Sequence, residues 1–123
     1  MNRFAPLALV PLLLMGCSSS KAKDTGSVST TGEAGAQTAT LELTSSLAFV
    51  PNTVLAKVGT VTLTVSNTGQ VPHNLEFDTK ALGKTATVNG KTSVPLKVVF
   101  TKAGTFTFQC TFHPGMTGKV VVS

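Results

Sequence analysis

Alternating apolar and polar residues constrain this chain more than any other feature of its sequence. In residues 60–66, valine and leucine occupy every second position and threonine fills most positions between them; the same period of two recurs in 94–100 and 106–112. This period is typical of β-strands with one buried face. Turn signals separate the runs, Asn89-Gly90 being the strongest prediction of a tight hairpin. The sequence therefore predicts an all-β sandwich of about seven to eight strands.

The first 17 residues are predicted to be an export signal. Arg3 precedes an apolar run over residues 4–15, which is shorter than the roughly 20 apolar residues that a membrane-spanning helix needs. The run ends in Leu14-Met15-Gly16-Cys17, which resembles the lipobox of bacterial lipoproteins, so we expect lipidation of Cys17. The alternative is an ordinary secretory signal that leaves Cys17 as a free thiol. Either signal predicts an extracytoplasmic protein, and the lipobox predicts one anchored to the membrane, facing the periplasm or the cell surface.

Composition divides the remainder of the chain into two parts. Residues 18–39 are mostly serine, threonine, glycine and alanine without apolar periodicity, which predicts a flexible tether. Residues 40–123 are predicted to form the single folded domain.

The charge of the chain limits its partners. The formal net charge is +5, but residues 40–123 contain no arginine and their lysines are scattered. Because base readout depends heavily on arginine, and nucleic acid is rarely a target outside the cytoplasm, we expect no nucleic-acid binding. An acidic protein or an anionic membrane surface fits this charge better.

Cys110 is the first indication of a functional site. It would be the only free thiol of the exported domain if Cys17 is lipidated, although a lone cysteine on a core-facing strand is by itself commonly a buried small hydrophobe. His113 and Met116 follow at spacings of three and three around a Pro-Gly bend, so the three side chains can converge. His73 is predicted to point inward at one end of the sandwich, where a lone histidine is more often a core residue than a ligand.

The number of soft and imidazole donors decides between these interpretations. Beyond the signal segment the chain contains two histidines and one methionine, all within the set His73, Cys110, His113 and Met116. One thiolate, two imidazoles and one thioether are the ligands of type 1 copper, whereas zinc prefers four strong ligands and methionine is a poor one. The sequence therefore predicts one copper ion, alternating between Cu(I) and Cu(II).

With these residues in place, the chain resembles the cupredoxins of the plastocyanin and azurin superfamily, and is most similar to the amicyanin-like blue copper proteins. The resemblance covers nearly the whole domain, and its compact ligand loop is of the amicyanin type. It is carried by Ala48-Phe49-Val50-Pro51-Asn52, Gly59-Thr60-Val61, Ser66-Asn67, Val71-Pro72-His73-Asn74, Gly104-Thr105-Phe106 and Gly118-Lys119-Val120-Val121-Val122.

The resemblance implies a cupredoxin-like Greek-key sandwich and a role for each ligand. Cys110 would form the short thiolate bond, His73 would be the buried ligand, His113 would reach the surface with its ring edge, and Met116 would be the weak axial ligand.

The resemblance also implies roles for the residues that border the ligands. The backbone N–H of Asn74 would donate to the thiolate, and its side chain would bond to Thr111. Phe112 stands where amicyanins have proline. We therefore hypothesise a second N–H to sulfur bond from Phe112, which would raise the reduction potential.

These expectations favour an electron-transfer protein over an enzyme, because the chain offers no nucleophile and base pair and no second set of metal ligands. We expect a monomer that exchanges single electrons with acidic redox proteins, such as a cytochrome or a membrane-bound or periplasmic oxidoreductase. The alternative is an extracytoplasmic copper carrier or storage protein.

Overall fold

The structure is a computed structural model that describes residues 23–123, so the predicted signal segment and Cys17 lie outside the described residues. Two β-sheets contain nine strands, and residues 23–123 contain no α-helix, so the predicted all-β sandwich is confirmed with one or two strands more than expected. A single 3-10 turn spans Lys80–Leu82. The strands are β1 (Ser27–Ser29), β2 (Gln37–Leu43), β3 (Phe49–Val50), β4 (Thr53–Ala56), β5 (Gly59–Asn67), β6 (Glu76–Phe77), β7 (Ser93–Phe100), β8 (Gly104–Gln109) and β9 (Thr117–Val122).

The chain crosses repeatedly between the two sheets. One sheet has the order β1-β4-β9-β8-β6 and the other β3-β2-β5-β7. Strand β2 alternates strictly between buried and exposed residues, and β5 alternates between buried and partly buried ones. The buried faces meet in a core that contains Phe49, Phe77 and Phe108, with ring centroids 4.9 Å apart for Phe49 and Phe108 and 5.6 Å apart for Phe77 and Phe108. Edge-on aromatic packing of this kind holds the two sheets together.

The predicted tether is wrong for the part of residues 18–39 that the structure describes. Strand β1 lies within it and pairs in parallel with β4, and β2 begins at Gln37 rather than at residue 40. The side chain of Gln37 is buried but satisfied, since it donates to the carbonyl of Lys57 (2.8 Å) and accepts from the backbone N–H of Lys57 (2.8 Å). Composition failed here because backbone pairing with distant strands holds this segment in place, with only a few apolar side chains, such as Val28 and Ala39, contributing to the core.

The predicted Asn89-Gly90 hairpin is only partly right. A turn does occur there, with the N–H of Thr92 donating to the carbonyl of Asn89 (3.3 Å). The flanking residues do not pair with each other, however: Val88 forms a β-bridge with His73, while β7 pairs with β5. Val88, which precedes the turn, therefore lies beside the segment that carries His73.

Several strand ends meet at one end of the sandwich, which we call the upper end. Strand β5 ends there at Asn67, β8 ends at Gln109, and β9 begins at Thr117. The lower end is the opposite one, where Gly59 pairs with Phe100. The upper end thus receives both the segment around His73 and the loop from Cys110 to Met116. Within the described residues, no helix has the length and apolar character needed to cross a membrane.

Candidate metal centre

The structure brings three of the four predicted ligands together at the upper end. The Sγ of Cys110 lies 3.8 Å from Nδ1 of His73 and 3.5 Å from Nδ1 of His113. One donor atom from each residue lies within 4.8 Å of the other two, and the two imidazole centroids are 4.9 Å apart. Donor atoms of His73 and Cys110, which are 37 positions apart in the sequence, therefore lie close together at one site.

The orientation of His73 is set by its backbone and by its second ring nitrogen. Its N–H donates to the carbonyl of Val88 (3.1 Å) and its carbonyl accepts from the N–H of Val88 (2.7 Å), which fixes the main chain. Nε2 lies 3.1 Å from the carbonyl of Thr44, an acceptor only, so Nε2 carries the proton and donates. Nδ1 is then the unprotonated nitrogen, and its lone pair faces Cys110.

Electrostatics reinforce the neutral form of His73. Burial lowers the pKa of its imidazole below the ordinary value, and the nearby His113 lowers it further, against the opposing effect of the hydrogen bond to Thr44. A neutral imidazole is the form that binds a metal ion.

The loop from Cys110 to Met116 is closed by its own backbone. The N–H of Cys110 donates to the carbonyl of Met116 (2.9 Å), and the N–H of Met116 donates to the carbonyl of His113 (3.2 Å). Gly115 has a φ of 85°, a conformation that glycine adopts without strain. The Met116 side chain is buried, with 1% of its surface exposed, and His113 is partly exposed. The loop thus presents a buried thiol and thioether together with an imidazole at the surface.

Asn74 joins the two segments that carry the ligands. Its Nδ2 donates to Oγ1 of Thr111 (2.9 Å), and its Oδ1 accepts from the N–H of Thr111 (2.8 Å), as the resemblance implied. The hydrogen bonds of residues 23–123 do not include one from the backbone N–H of Asn74 or Phe112 to Sγ, so neither of those predicted bonds is confirmed.

Two further residues, for which the sequence predicted no role at the site, hold the segment around His73. Asn67 is buried; its Nδ2 donates to the carbonyls of Val71 (2.7 Å) and Val88 (3.0 Å). Thr85 Oγ1 accepts from the N–H of Leu75 (3.0 Å). The only signal available was the position of Asn67 at the end of an alternating run, where asparagine is also typical of a turn.

The chemistry of these residues fits type 1 copper. The site combines a cysteine sulfur, two imidazoles whose Nδ1 atoms face it, and a buried thioether in the same loop. Soft sulfur donors combined with imidazole select copper over magnesium or calcium, and a weak thioether disfavours structural zinc.

Comparison with known proteins assigns the chain to a family. Residues 6–122 match the family described as cupredoxin-like domain, and the protein belongs to that family. The match covers the whole of the described structure except its last residue.

Within the family, the sequence is similar to amicyanin of Paracoccus denitrificans, with 43% identity over 68 residues. The aligned region covers 54% of this chain and 51% of amicyanin, so the chain spans about half the length of the curated relative that it matches. Among solved structures, an amicyanin variant in the reduced state is 29% identical with a TM-score of 0.57, over 76% of this chain and 86% of that one.

A further solved structure supports the fold alone. Auracyanin A, a blue copper protein of Chloroflexus aurantiacus, has a TM-score of 0.64 over 72% of this chain and 100% of its own, at 20% identity.

Proposed function

We propose that the protein is a type 1 copper electron-transfer protein that exchanges single electrons with extracytoplasmic redox partners. The observation that carries this proposal is the convergence of His73, Cys110 and His113 to within 4.8 Å on a sandwich whose backbone fixes each of them. Copper, when bound, supplies the one-electron chemistry. The residues of the chain would hold the ion on a backbone that hydrogen bonds fix, which limits rearrangement between oxidation states.

Rigidity of the site supports electron transfer over catalysis or copper delivery. His73 is held by the bridge to Val88 and by the bond to Thr44, and the Cys110 loop is closed by two backbone bonds. A site that does not rearrange between oxidation states lowers the reorganisation energy of electron transfer. Delivery of the ion, in contrast, requires ligands that dissociate from it. We therefore do not assign an enzymatic activity to this centre.

The surface beside His113 supports brief docking of a partner. Phe112 is 47% exposed, and its ring lies edge-on to that of His113 with centroids 6.5 Å apart. Leu47 is 43% exposed and belongs to the turn whose Thr44 carbonyl bonds His73. Small apolar surfaces suit the weak encounters of redox proteins. Electrons would pass through the exposed edge of His113.

The location and the partners of the protein are part of the same proposal. The apolar segment 4–15 and the lipobox-like ending at Cys17 support export and attachment to a membrane by lipid. The excess of lysine over acidic residues supports partners with acidic surfaces, such as a cytochrome or a membrane-bound or periplasmic oxidoreductase. We propose that the protein acts as a monomer.

Titration of the full chain with Cu(II) tests this function. We expect one equivalent of copper to produce an intense blue thiolate to Cu(II) absorption, which ascorbate removes and ferricyanide restores. The variant Cys110→Ser is the control, because it lacks the thiolate and should stay colourless at the same copper content. A colourless wild-type complex, or a blue complex that loses copper on reduction, would contradict electron transfer and favour the carrier alternative.

A further inference from the structure

Two exposed residues have a backbone conformation that favours glycine. Within residues 23–123, the residues other than glycine with a positive φ are Leu47 (59°) and Lys91 (63°). This conformation costs free energy in any residue with a Cβ. Leu47 is 43% exposed and Lys91 is exposed as well, so burial of their side chains does not offset that cost. Because strained residues cluster at functional sites, the pair points to a contact surface.

Both strained residues lie near His73 at the upper end. The carbonyl of Thr44 accepts a hydrogen bond from the N–H of Leu47 (3.1 Å) as well as from Nε2 of His73 (3.1 Å). Lys91 belongs to the turn that follows Val88, whose backbone pairs with that of His73. Leu47 and Lys91 therefore lie on two turns next to the segment that carries the buried ligand.

Residues 68–70 connect these two turns into one surface. A Cβ added at Gly69 would lie 3.2 Å from the backbone N of Ser45, which is in the first of the turns. A Cβ added at Gly90, in the second turn, would lie 2.8 Å from the carbonyl oxygen of Gly69. This contact requires glycine at position 90, and the positive φ occurs one residue later, at Lys91. We call residues 44–48, 68–70 and 89–92 the rim.

The ammonium of Lys91 is held in one place on the rim. Its Nζ donates to the carbonyl of Thr68 (2.6 Å), and the N–H of Thr68 donates to the carbonyl of Leu43 (3.2 Å). An ammonium has three N–H donors, so two remain for a partner. The ion pair within residues 23–123 joins Lys80 and Glu76, and no carboxylate oxygen of those residues lies within 4 Å of Nζ of Lys91. A fixed positive charge with unused donors therefore lies at the upper end.

The sequence around Lys91 adds to this charge. Residues 79–102 contain five lysines and no acidic residue, so this segment attracts negative groups. A lipid bilayer attracts clusters of several basic residues, whereas the rim offers one fixed ammonium and one exposed leucine on neighbouring turns. A carboxylate next to an apolar side chain, as on a protein surface, complements that combination better than a plane of lipid headgroups does.

We propose that the redox partner is an acidic protein that places a carboxylate on Lys91 and an apolar side chain on Leu47 when it docks at the upper end. Docking there brings the partner to the end of the sandwich at which His113 is partly exposed. The fixed position of the ammonium reduces the conformational entropy that is lost on docking. This inference rests on the proposed function, because it names the chemistry of the partner of the same metal centre.

The rate of electron transfer from reduced flavodoxin measures this docking. Flavodoxin is the probe because it is an acidic protein that gives up one electron, which here reduces Cu(II) to Cu(I) and removes the blue absorption. Lys91→Gln removes the charge on the rim, and Lys102→Gln is the matched control, since both variants have the same net charge and both positions are exposed. At an ionic strength of about 0.1 M we expect Lys91→Gln to lower the second-order rate about threefold, the contribution of one exposed charge pair, and Lys102→Gln to change it little.

Distance separates the two lysines. Lys91 precedes β7 at the upper end and Lys102 follows it at the lower end, and the eight residues of β7 span roughly 23 Å. That span is more than twice the Debye length of about 10 Å at this ionic strength. Equal rates of the two variants, in a protein whose wild type accepts electrons, would overturn this inference alone. A wild type that binds copper but accepts no electron would contradict the proposed function and, with it, this inference.

Two further substitutions at position 91 separate charge from backbone strain. Lys91→Arg keeps the charge and should restore most of the wild-type rate. Lys91→Gly removes the charge and relieves the strain, so it should be as slow as Lys91→Gln but unfold at a higher urea concentration. A rate for Lys91→Arg as low as that of Lys91→Gln, or a lower unfolding midpoint for Lys91→Gly than for Lys91→Gln, would contradict the inference.

Leu47→Asn tests the apolar contact. Asparagine tolerates a positive φ better than most residues, so this substitution removes apolar surface without added strain. We expect its rate to stay below that of the wild type at about 1 M salt, where a Debye length of about 3 Å leaves Lys91→Gln equal to the wild type. A wild-type rate for Leu47→Asn at that salt would overturn the assignment of an apolar contact.

Vesicles test whether lipid headgroups occupy Lys91 instead. The flavodoxin rates of the full chain and of Lys91→Gln are measured in the presence of neutral phosphatidylcholine or anionic phosphatidylglycerol vesicles. We expect the ratio of the two rates to be the same with both lipids. Loss of that ratio with the anionic lipid alone would replace the acidic protein by an anionic membrane surface.

Discussion

Asn74 and Thr111 exchange two hydrogen bonds, of 2.9 Å and 2.8 Å, although they are 37 positions apart in the sequence. Each residue follows a candidate ligand directly, since Asn74 is next to His73 and Thr111 is next to Cys110. The pair therefore ties the backbone that carries the buried imidazole to the backbone that carries the thiolate. Any movement of one ligand segment against the other must stretch these bonds.

Single substitutions in this pair are expected to lower the free energy of unfolding by two different amounts. Thr111→Val removes only the Oγ1 acceptor and should lower the free energy of unfolding by about 0.5 to 1.5 kcal/mol. Asn74→Ala removes both bonds and should cost more than Thr111→Val. Urea unfolding of the copper-free variants measures both values, and the blue absorption reports whether the ligands stay aligned. Equal costs for the two variants would show that the bond from the Thr111 N–H to Asn74 contributes nothing.

The ligands could be predicted from the sequence because their chemistry and spacing are local. Cys110, His113 and Met116 lie within one loop, and His73 completed the only set of soft and imidazole donors beyond the predicted signal segment. The strands were equally predictable, since apolar residues alternate with polar ones with a period of two in most of β5, β7 and β8.

Other features could not be predicted because they depend on contacts between distant parts of the chain. The carbonyl of Thr44, which orients His73, is a backbone group and has no signature in the sequence. Strand β1 lacks an apolar run and exists through its pairing with β4. The hydrogen bonds of Asn67 to Val71 and Val88 likewise required the fold to be known.

A side chain at Gly115 is predicted to change the stability of the protein through backbone conformation alone. It has a φ of 85°, and a Cβ added there would meet no atom within 4 Å. Gly115→Ala should therefore destabilise the protein through backbone strain alone, by about 1 to 2 kcal/mol. Gly35→Ala is the matched control, because its Cβ also meets no atom within 4 Å and its φ lies outside the left-handed range. Chemical denaturation should show a change within about 0.5 kcal/mol for that control. Equal effects of the two substitutions would refute the argument from strain.

Asn67 is predicted to position His73 without touching it. Asn67→Ala would leave the carbonyls of Val71 and Val88 without this donor, which should cost about 1 to 3 kcal/mol. Asn67→Asp keeps the acceptor for the N–H of Gly69 but turns a carboxylate toward two carbonyls, so it should be at least as destabilising. Copper affinity should fall in both variants, as measured by competition with a chelator. Asn89→Ala, at an exposed position, should change neither quantity; normal copper affinity in Asn67→Ala would argue against a positioning role.

The metal-free protein is predicted to lose stability in mild acid because of His73. Its folded-state pKa is lowered from the ordinary value of 6.5 by burial, so the unfolded chain takes up a proton at a higher pH than the folded one. Stability is therefore fully present above pH 6.5 and decreases as the pH falls below that value toward the folded-state pKa. His73→Gln keeps an amide that can donate to Thr44 but does not titrate, so its loss of stability between about pH 7.5 and 5.5 should be smaller than that of the wild type. Urea unfolding at both pH values gives the comparison, and identical pH profiles for the two proteins would show that His73 is not the group responsible.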